Sequence, residues 1–139
     1  MILLTPELRA TLRAHAEQSE RTHEPDPPPV VKFFNPVGAA TWLATELYDD
    51  GDTLFGLADL GFGCPELGCF SLFELAGIRL PFGLRIERDI GFSTTISLSV
   101  WADTARRAGS ISQAQSIIWR IESAPVPEIP TDPKQGKGG

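Results

Sequence analysis

Basic residues are in short supply in this chain: 12 Lys and Arg stand against 18 Asp and Glu, a formal net charge of −6 over 139 residues. That balance argues against a protein that works by neutralising phosphates. Cysteine and histidine are scarcer, two of each. Cys64 and Cys69 are spaced C-x4-C, without the second pair or the histidine that a zinc site needs, and are expected to be small, buried, reduced thiols. His15 and His23 precede the aromatic region, so no His-based catalytic triad is expected. Long apolar runs are absent too, and nothing approaches the roughly 20 residues of a membrane span. Met1-Ile2-Leu3-Leu4 breaks off at Thr5-Pro6-Glu7 with no basic flank, so no signal peptide is expected and the cytoplasm is the expected location. No serine sits in a G-x-S-x-G elbow, and Gly61, Gly63 and Gly68 fit no phosphate loop or dinucleotide fingerprint. No catalytic residue, metal or cofactor is assigned.

Proline is plentiful but unevenly placed. Eight of the 12 fall in two stretches, Pro25 to Pro29 and Pro125 to Pro133. Such runs lack the apolar periodicity that offsets ordering entropy. They divide the chain into an N-terminal helix (1–23), a Pro-rich linker (24–29), a single core (30–123) and a Pro/Gly tail expected to be disordered (124–139). All eight Phe lie between Phe33 and Phe92, which predicts a core built around that window, with Trp42, Trp101 and Trp119 as further core anchors.

Charge is uneven as well, since nine of the 18 acids lie in residues 30–92 against four bases. Glu46, Asp49, Asp50, Asp52 and Asp59 form a local acidic stretch, which disfavours nucleic acid at that surface and favours a protein partner with basic groups. The plainer reading is turn chemistry, because Tyr48-Asp49-Asp50-Gly51-Asp52 separates two apolar runs.

Local signals place the elements. Thr5 caps a helix with Pro6 at its first position, and Leu8, Leu12 and Ala16 line one face. Val30 to Phe34, Thr41 to Tyr48, Thr53 to Leu60 and Leu84 to Phe92 read as strands, with Leu67 to Phe70 between them after a glycine-rich connection. Ser71-Leu72-Phe73-Glu74 is a capping-box signature. Leu98 to Ala108 has helical spacing and stops at Gly109; Ile111 to Ile121 repeats it after Ser110, although Ser116 to Ile121 also suits a strand. The predicted fold is α+β: a small mixed, mainly antiparallel sheet of four to five strands with peripheral helices.

The most informative stretch is Leu84 to Phe92. Strand alternation puts Arg88 in an apolar row with Leu84, Ile86, Ile90 and Phe92, and Glu87 and Asp89 together on the other face beside Arg85 and Lys32. A guanidinium in an apolar row needs a carboxylate, and Glu46 is the first candidate because it is the only charge on a face shared with Trp42, Ala44 and Tyr48; Asp59 and Glu74 are the alternatives. The binding candidates are therefore Arg88, Glu46, Glu87, Asp89, Trp42 and Lys32. An alternative class is an enzyme or divalent-metal protein using Glu87, Asp89 and Glu46, which requires them to converge with Arg88 in a concave site. Another is DNA binding through Arg106, Arg107 and Arg120.

The combination VKFF-x-P (31–36), TW-x-x-x-E (41–46), ELG-x-x-S-L-x-E-L (66–75) and GL-x-x-ERD (83–89) resembles a bacterial domain-of-unknown-function family of small proteins, over roughly residues 2–109. Where Cys69 stands, the family pattern leads one to expect an aromatic. The resemblance implies a mobile-element setting, on plasmids and related elements near antirestriction genes, and supplies no catalytic residue. A cytoplasmic protein acting by protein binding, as an accessory or anti-defence factor, is the expected function.

Overall fold

Thr5 accepts the Leu8 amide at 3.1 Å and opens α1 (Pro6–Arg21), with Pro6 in the first turn, where its missing N–H costs nothing. The computed structural model describes residues 2–22 and 25–125; His23, the linker's first residue Glu24 and the tail from 126 lie outside the described residues. After the linker come β1 (Val31–Phe34), β2 (Thr41–Leu47), β3 (Thr53–Asp59) and β4 (Glu66–Ser71), then α2 (Leu72–Gly77), β5 (Glu87–Arg88), α3 (Leu98–Ala108) and α4 (Ile111–Ser123). The sheet order is β4-β3-β2-β1-β5 and every pairing is antiparallel, so the predicted α+β class holds with five strands. Residues 111–123 are helix, as the Ser110 cap on the Gln113 amide dictates.

The central strand β2 is buried along its whole length, because helices cover both faces of the sheet. One core joins Leu3, Leu4 and Leu12 to Phe33, Trp42, Ala44, Leu47, Leu75 and Ile86. The other packs Leu43 and Leu57 under Trp101, Ala105, Ile111 and Ile118 of α3 and α4. Simple alternation along β2 fails at a bulge between Ala44 and Glu46. Leu47, not Glu46, joins Trp42 and Ala44 in the first core. Thr45 O accepts from His15 Nδ1 at 2.9 Å, and Leu47 O accepts from Arg13 at 2.7 Å, so α1 is fastened to β2 beside the bulge.

Three expectations are corrected. The strand predicted over Leu84 to Phe92 contracts to Glu87–Arg88. On one side β1 ends at Asn35-Pro36, and on the other the Asp89 carboxylate and carbonyl turn the chain by accepting the Gly91 and Phe92 amides. Cys64 and Cys69 are exposed, not buried. The phenylalanine window also supplies surface: Phe62, Phe73 and Phe82 are 82, 81 and 92% exposed, and Trp119 is 66% exposed.

The acids predicted to form a charged surface are largely structural. Asp50 accepts the amides of Asp52 and Thr53 and the Thr53 hydroxyl. Asp52 accepts from the Ser71 hydroxyl and the Phe73 amide at the start of α2. Asp59 accepts the amides of Gly61 and Ile111. The linker's Asp26 does the same for α3 through the Ser99 amide and hydroxyl. Turn chemistry, the plainer reading, accounts for most of this stretch.

Candidate functional site

The segment from Leu80 to Phe92 borders the β5 edge and holds three of the six binding candidates. Its first part is a single 3-10 turn at Pro81–Gly83, closed by the Leu80 amide on Leu84 O at 3.0 Å and the Leu84 amide on Pro81 O at 3.3 Å. Within it Phe82 has φ 64° and Gly83 φ 73°. A left-handed backbone costs a non-glycine residue about 1 kcal/mol or more, and here it leaves the Phe82 ring in solvent.

Arg85 donates to Ala76 O at 2.9 Å, fastening the segment to α2, and Ile86 drops into the core beside Leu75. Glu87 pairs with Phe34 and Arg88 with Phe33 across the β1–β5 ladder. The Arg88 guanidinium donates to the backbone carbonyls of Ile2 (2.7 Å) and Leu3 (3.1 Å). It therefore holds the N-terminal segment in place, and Glu46, its expected partner, lies elsewhere. Asp89 donates its amide to Lys32 O and sets its carboxylate 3.5 Å from Lys32 Nζ. Lys32 also donates to Gln115 Oε1 at 2.7 Å and stands 5.6 Å from the Phe34 ring centroid. The pairing of Asp89 with Lys32 matches the balanced polar face read from the sequence. Ile90, next along, is 75% exposed.

Among the described residues, four of the candidates line four separate cavities. Glu87 lines one of about 480 Å³ with Leu3, Ala76, Arg85 and Ile86. Arg88 lines another of about 500 Å³ with Ile2, Leu4, Pro6 and Arg9. Lys32 lines a groove of about 580 Å³ with Gln115, Trp119 and Arg120 of α4. Glu46 belongs to a fourth, of about 330 Å³, with Ser19, Glu20, Tyr48 and Asp49. Trp42, 6% exposed, is part of the core. Among the described residues no group of three or more His, Cys, Asp and Glu could hold a metal ion. The convergence that an acid–base or metal-assisted reaction needs is not built from Glu46, Glu87, Asp89 and Arg88.

Electrostatics around Glu46 follow from its position. Burial pushes its carboxyl above the ordinary value, against the opposing effects of a Ser19 hydrogen bond and nearby His15. Burial, Cys69 and Glu46 together push the Tyr48 hydroxyl up to about 12, so it is a neutral hydrogen-bonding group at physiological pH. Of the C-terminal arginines, Arg107 pairs with Asp103 at 3.2 Å on α3, whereas Arg120 stands on α4 beside Trp119.

What residue-level reading missed is Phe82. The local sequence Leu80-Pro81-Phe82-Gly83-Leu84 carried the signal, because Pro and Gly on either side of an aromatic mark a turn that faces solvent. Phe73 had a similar one: Leu72 and Leu75 are the helix positions that face the core, and Phe73 falls off that stripe. Among the described residues no helix is long and apolar enough to cross a membrane.

Comparison with known proteins adds one match. The model of a family described as "Protein of unknown function (DUF2958)" matches residues 3–112. No curated protein and no solved structure matches the chain.

Proposed function

Because the chain belongs to this family, DUF2958, which carries no assigned activity, we propose a function from its surface: it is a cytoplasmic protein that acts by binding another protein, as an accessory or anti-defence factor of a mobile element. The observation that supports binding is Phe82, a phenylalanine 92% exposed on a left-handed backbone. Strain and exposure of a large apolar ring both cost free energy in the isolated chain, and both are offset when the ring enters a partner's pocket. Ile90, on the far side of β5, is a second exposed apolar side chain at 75%. Arg85, Glu87 and Asp89 lie between Phe82 and Ile90 in sequence, so the segment also carries charged groups of the kind found at interface rims. The dispersal of the carboxylates favours binding over catalysis, and the mobile-element setting comes from the sequence resemblance.

The test uses the full chain in a host carrying defined restriction and CRISPR systems. Affinity capture should enrich a defence protein, and Phe82→Ala, folded by circular dichroism, should lose that capture by about tenfold or more. Plasmid establishment or phage plating should rise with the chain and fall back with the variant. No enriched defence protein, together with unchanged restriction, would overturn the proposal.

A further inference from the structure

Two stripes of side chains run along α4. Ile111, Ala114 and Ile118 are buried against the sheet. Ser112, Gln115, Ser116 and Trp119 make the second stripe at i, i+3, i+4 and i+7, with Arg120 beside it, and together they meet Lys32 of β1 in the groove of about 580 Å³. That is the size of a small-ligand site, for which about 300 to 1,000 Å³ is usual. Trp119 is 66% exposed, whereas Trp42 and Trp101 are buried. Ile117 and Ile121, also exposed, lie about 160° round the helix from Trp119. The indole is therefore not part of a wider apolar face.

The groove's charge is positive in an acidic chain. No acid lines it among the described residues. The Lys32 side chain is 15% exposed and its ammonium has three N–H donors. Gln115 Oε1 accepts one at 2.7 Å, and the Asp89 carboxylate at 3.5 Å is farther than the roughly 2.8 Å of a direct charge-assisted bond. Lys32 can therefore still donate into the groove. Among the described residues no hydrogen bond or ion pair engages Arg120.

We propose that this groove binds a free 5′-nucleotide, its base stacked on Trp119 and its phosphate held by Lys32 and Arg120. Each part of the ligand answers a group of the site. An exposed indole offers its face to a planar ring, and two cations call for an anion. The Gln115 amide N–H groups and the Ser112 and Ser116 hydroxyls supply hydrogen bonds for the sugar and the base edge. Ser112 to Trp119 covers seven residues, about 10 Å of helix, which suits a single nucleotide. A nucleic-acid strand needs a row of cations along its phosphates. Only two line the groove, Arg107 on α3 is paired with Asp103 at 3.2 Å, and the chain carries a net charge of −6. A segment of plain carboxylates would meet the cations and leave the indole face bare.

Isothermal titration of the full chain with AMP, GMP, CMP and UMP tests this. At least one should bind at concentrations up to about 1 mM. The matching nucleoside and inorganic phosphate should each bind at least about tenfold more weakly, because each presents only part of the ligand. Trp119→Ala should weaken nucleotide binding by about tenfold, the size of one base–aromatic stack, and Trp119→Phe should recover part of the loss. Arg120→Gln should weaken the nucleotide and leave the nucleoside unchanged. Both positions are on the outside of α4, and circular dichroism checks that each variant folds. Four results would each overturn the inference: no binding of any of the four nucleotides, binding indifferent to Trp119→Ala and Arg120→Gln, a single-stranded oligonucleotide whose affinity rises with its length, or a glutamate-rich peptide that binds as tightly as the nucleotide. Because Phe82 does not line this groove, Phe82→Ala should leave nucleotide binding intact, and loss of capture and loss of nucleotide are separate results.

Discussion

The carboxylate of Asp59, only 1% exposed, accepts the amide of Ile111 at 2.9 Å across 52 residues of sequence, and with its other oxygen the amide of Gly61 at 2.9 Å. One side chain thus ends β3, shapes the following turn and satisfies the first free N–H of α4. Asp59→Ala is expected to cost about 3 kcal/mol, because it strands two amides where water is excluded. Asp59→Asn, which keeps one acceptor, should fall between the two. Urea denaturation of the three proteins checks the order.

Gly56 is fixed by the neighbouring strand. A methyl group there would lie 1.8 Å from Leu43 O and 2.9 Å from the Ala44 Cα, both backbone atoms beside the β2 bulge. Gly56→Ala should therefore lose at least about 3 kcal/mol or fail to fold, more than an ordinary overpacked core position. Recovery of folded protein and the thermal midpoint measure it.

Asp50 gives the chain an acid-sensitive turn. The hydroxyl and amide of Thr53 and the amide of Asp52 hold its carboxyl at about 2, below its ordinary 3.8. A carboxylate lowered in the folded state contributes stability that is complete above the unfolded value and lost as pH falls through the folded one. The thermal midpoint should drop between about pH 4 and pH 2, and Asp50→Asn should flatten that limb while lowering the plateau above it.

Glu46 has the opposite sign. Burial raises its carboxyl despite Ser19 and His15, so the folded state holds its proton more tightly and stability falls as pH rises through that raised value. Glu46→Gln is expected to raise the thermal midpoint at neutral pH. The difference from the parent chain should shrink on acidification, a pattern that would not arise from a change in packing alone.

Asp26 links the proline-rich linker to α3. Burial works to raise its carboxyl, but hydrogen bonds from the Ser99 hydroxyl, the Ser99 amide and Ser97 outweigh it and leave the value below the ordinary one. Asp26→Ala should cost about 1 kcal/mol, the usual value of a lost helix cap. Hydrogen exchange should locate the loss in the first turn of α3.

Local chemistry made much of this fold legible. Thr5, Ser71 and Ser110 cap the helices their spacing predicts, and Gly109 at φ 95° stops α3. The strands β1 to β3 fall within a residue or so of their predicted ends because their turns are short-range. What was hidden depends on residues distant in sequence. Arg88 was expected to need a carboxylate, Glu46 first, yet its guanidinium donates to the carbonyls of Ile2 and Leu3, and backbone acceptors leave no trace in a side-chain pattern. The Ala44/Glu46 bulge likewise shifts the face of every residue beyond it, which strand alternation cannot anticipate.

The remote carboxylate caps also have a direction. Asp26, Asp52 and Asp59 each come earlier in the chain than the helix they complete, at Ser99, Phe73 and Ile111 respectively. During synthesis, which runs from the N-terminus, every one of these helices leaves the ribosome after its acceptor has been made. The strands β1 to β4 can thus be laid down before α2, α3 and α4, and α4, which follows β3 in the chain, finds the Asp59 carboxylate already waiting. A nascent chain halted before Ile111 would hold that carboxylate without its helix partner, which makes the arrival of α4 the step that seals the second face of the sheet.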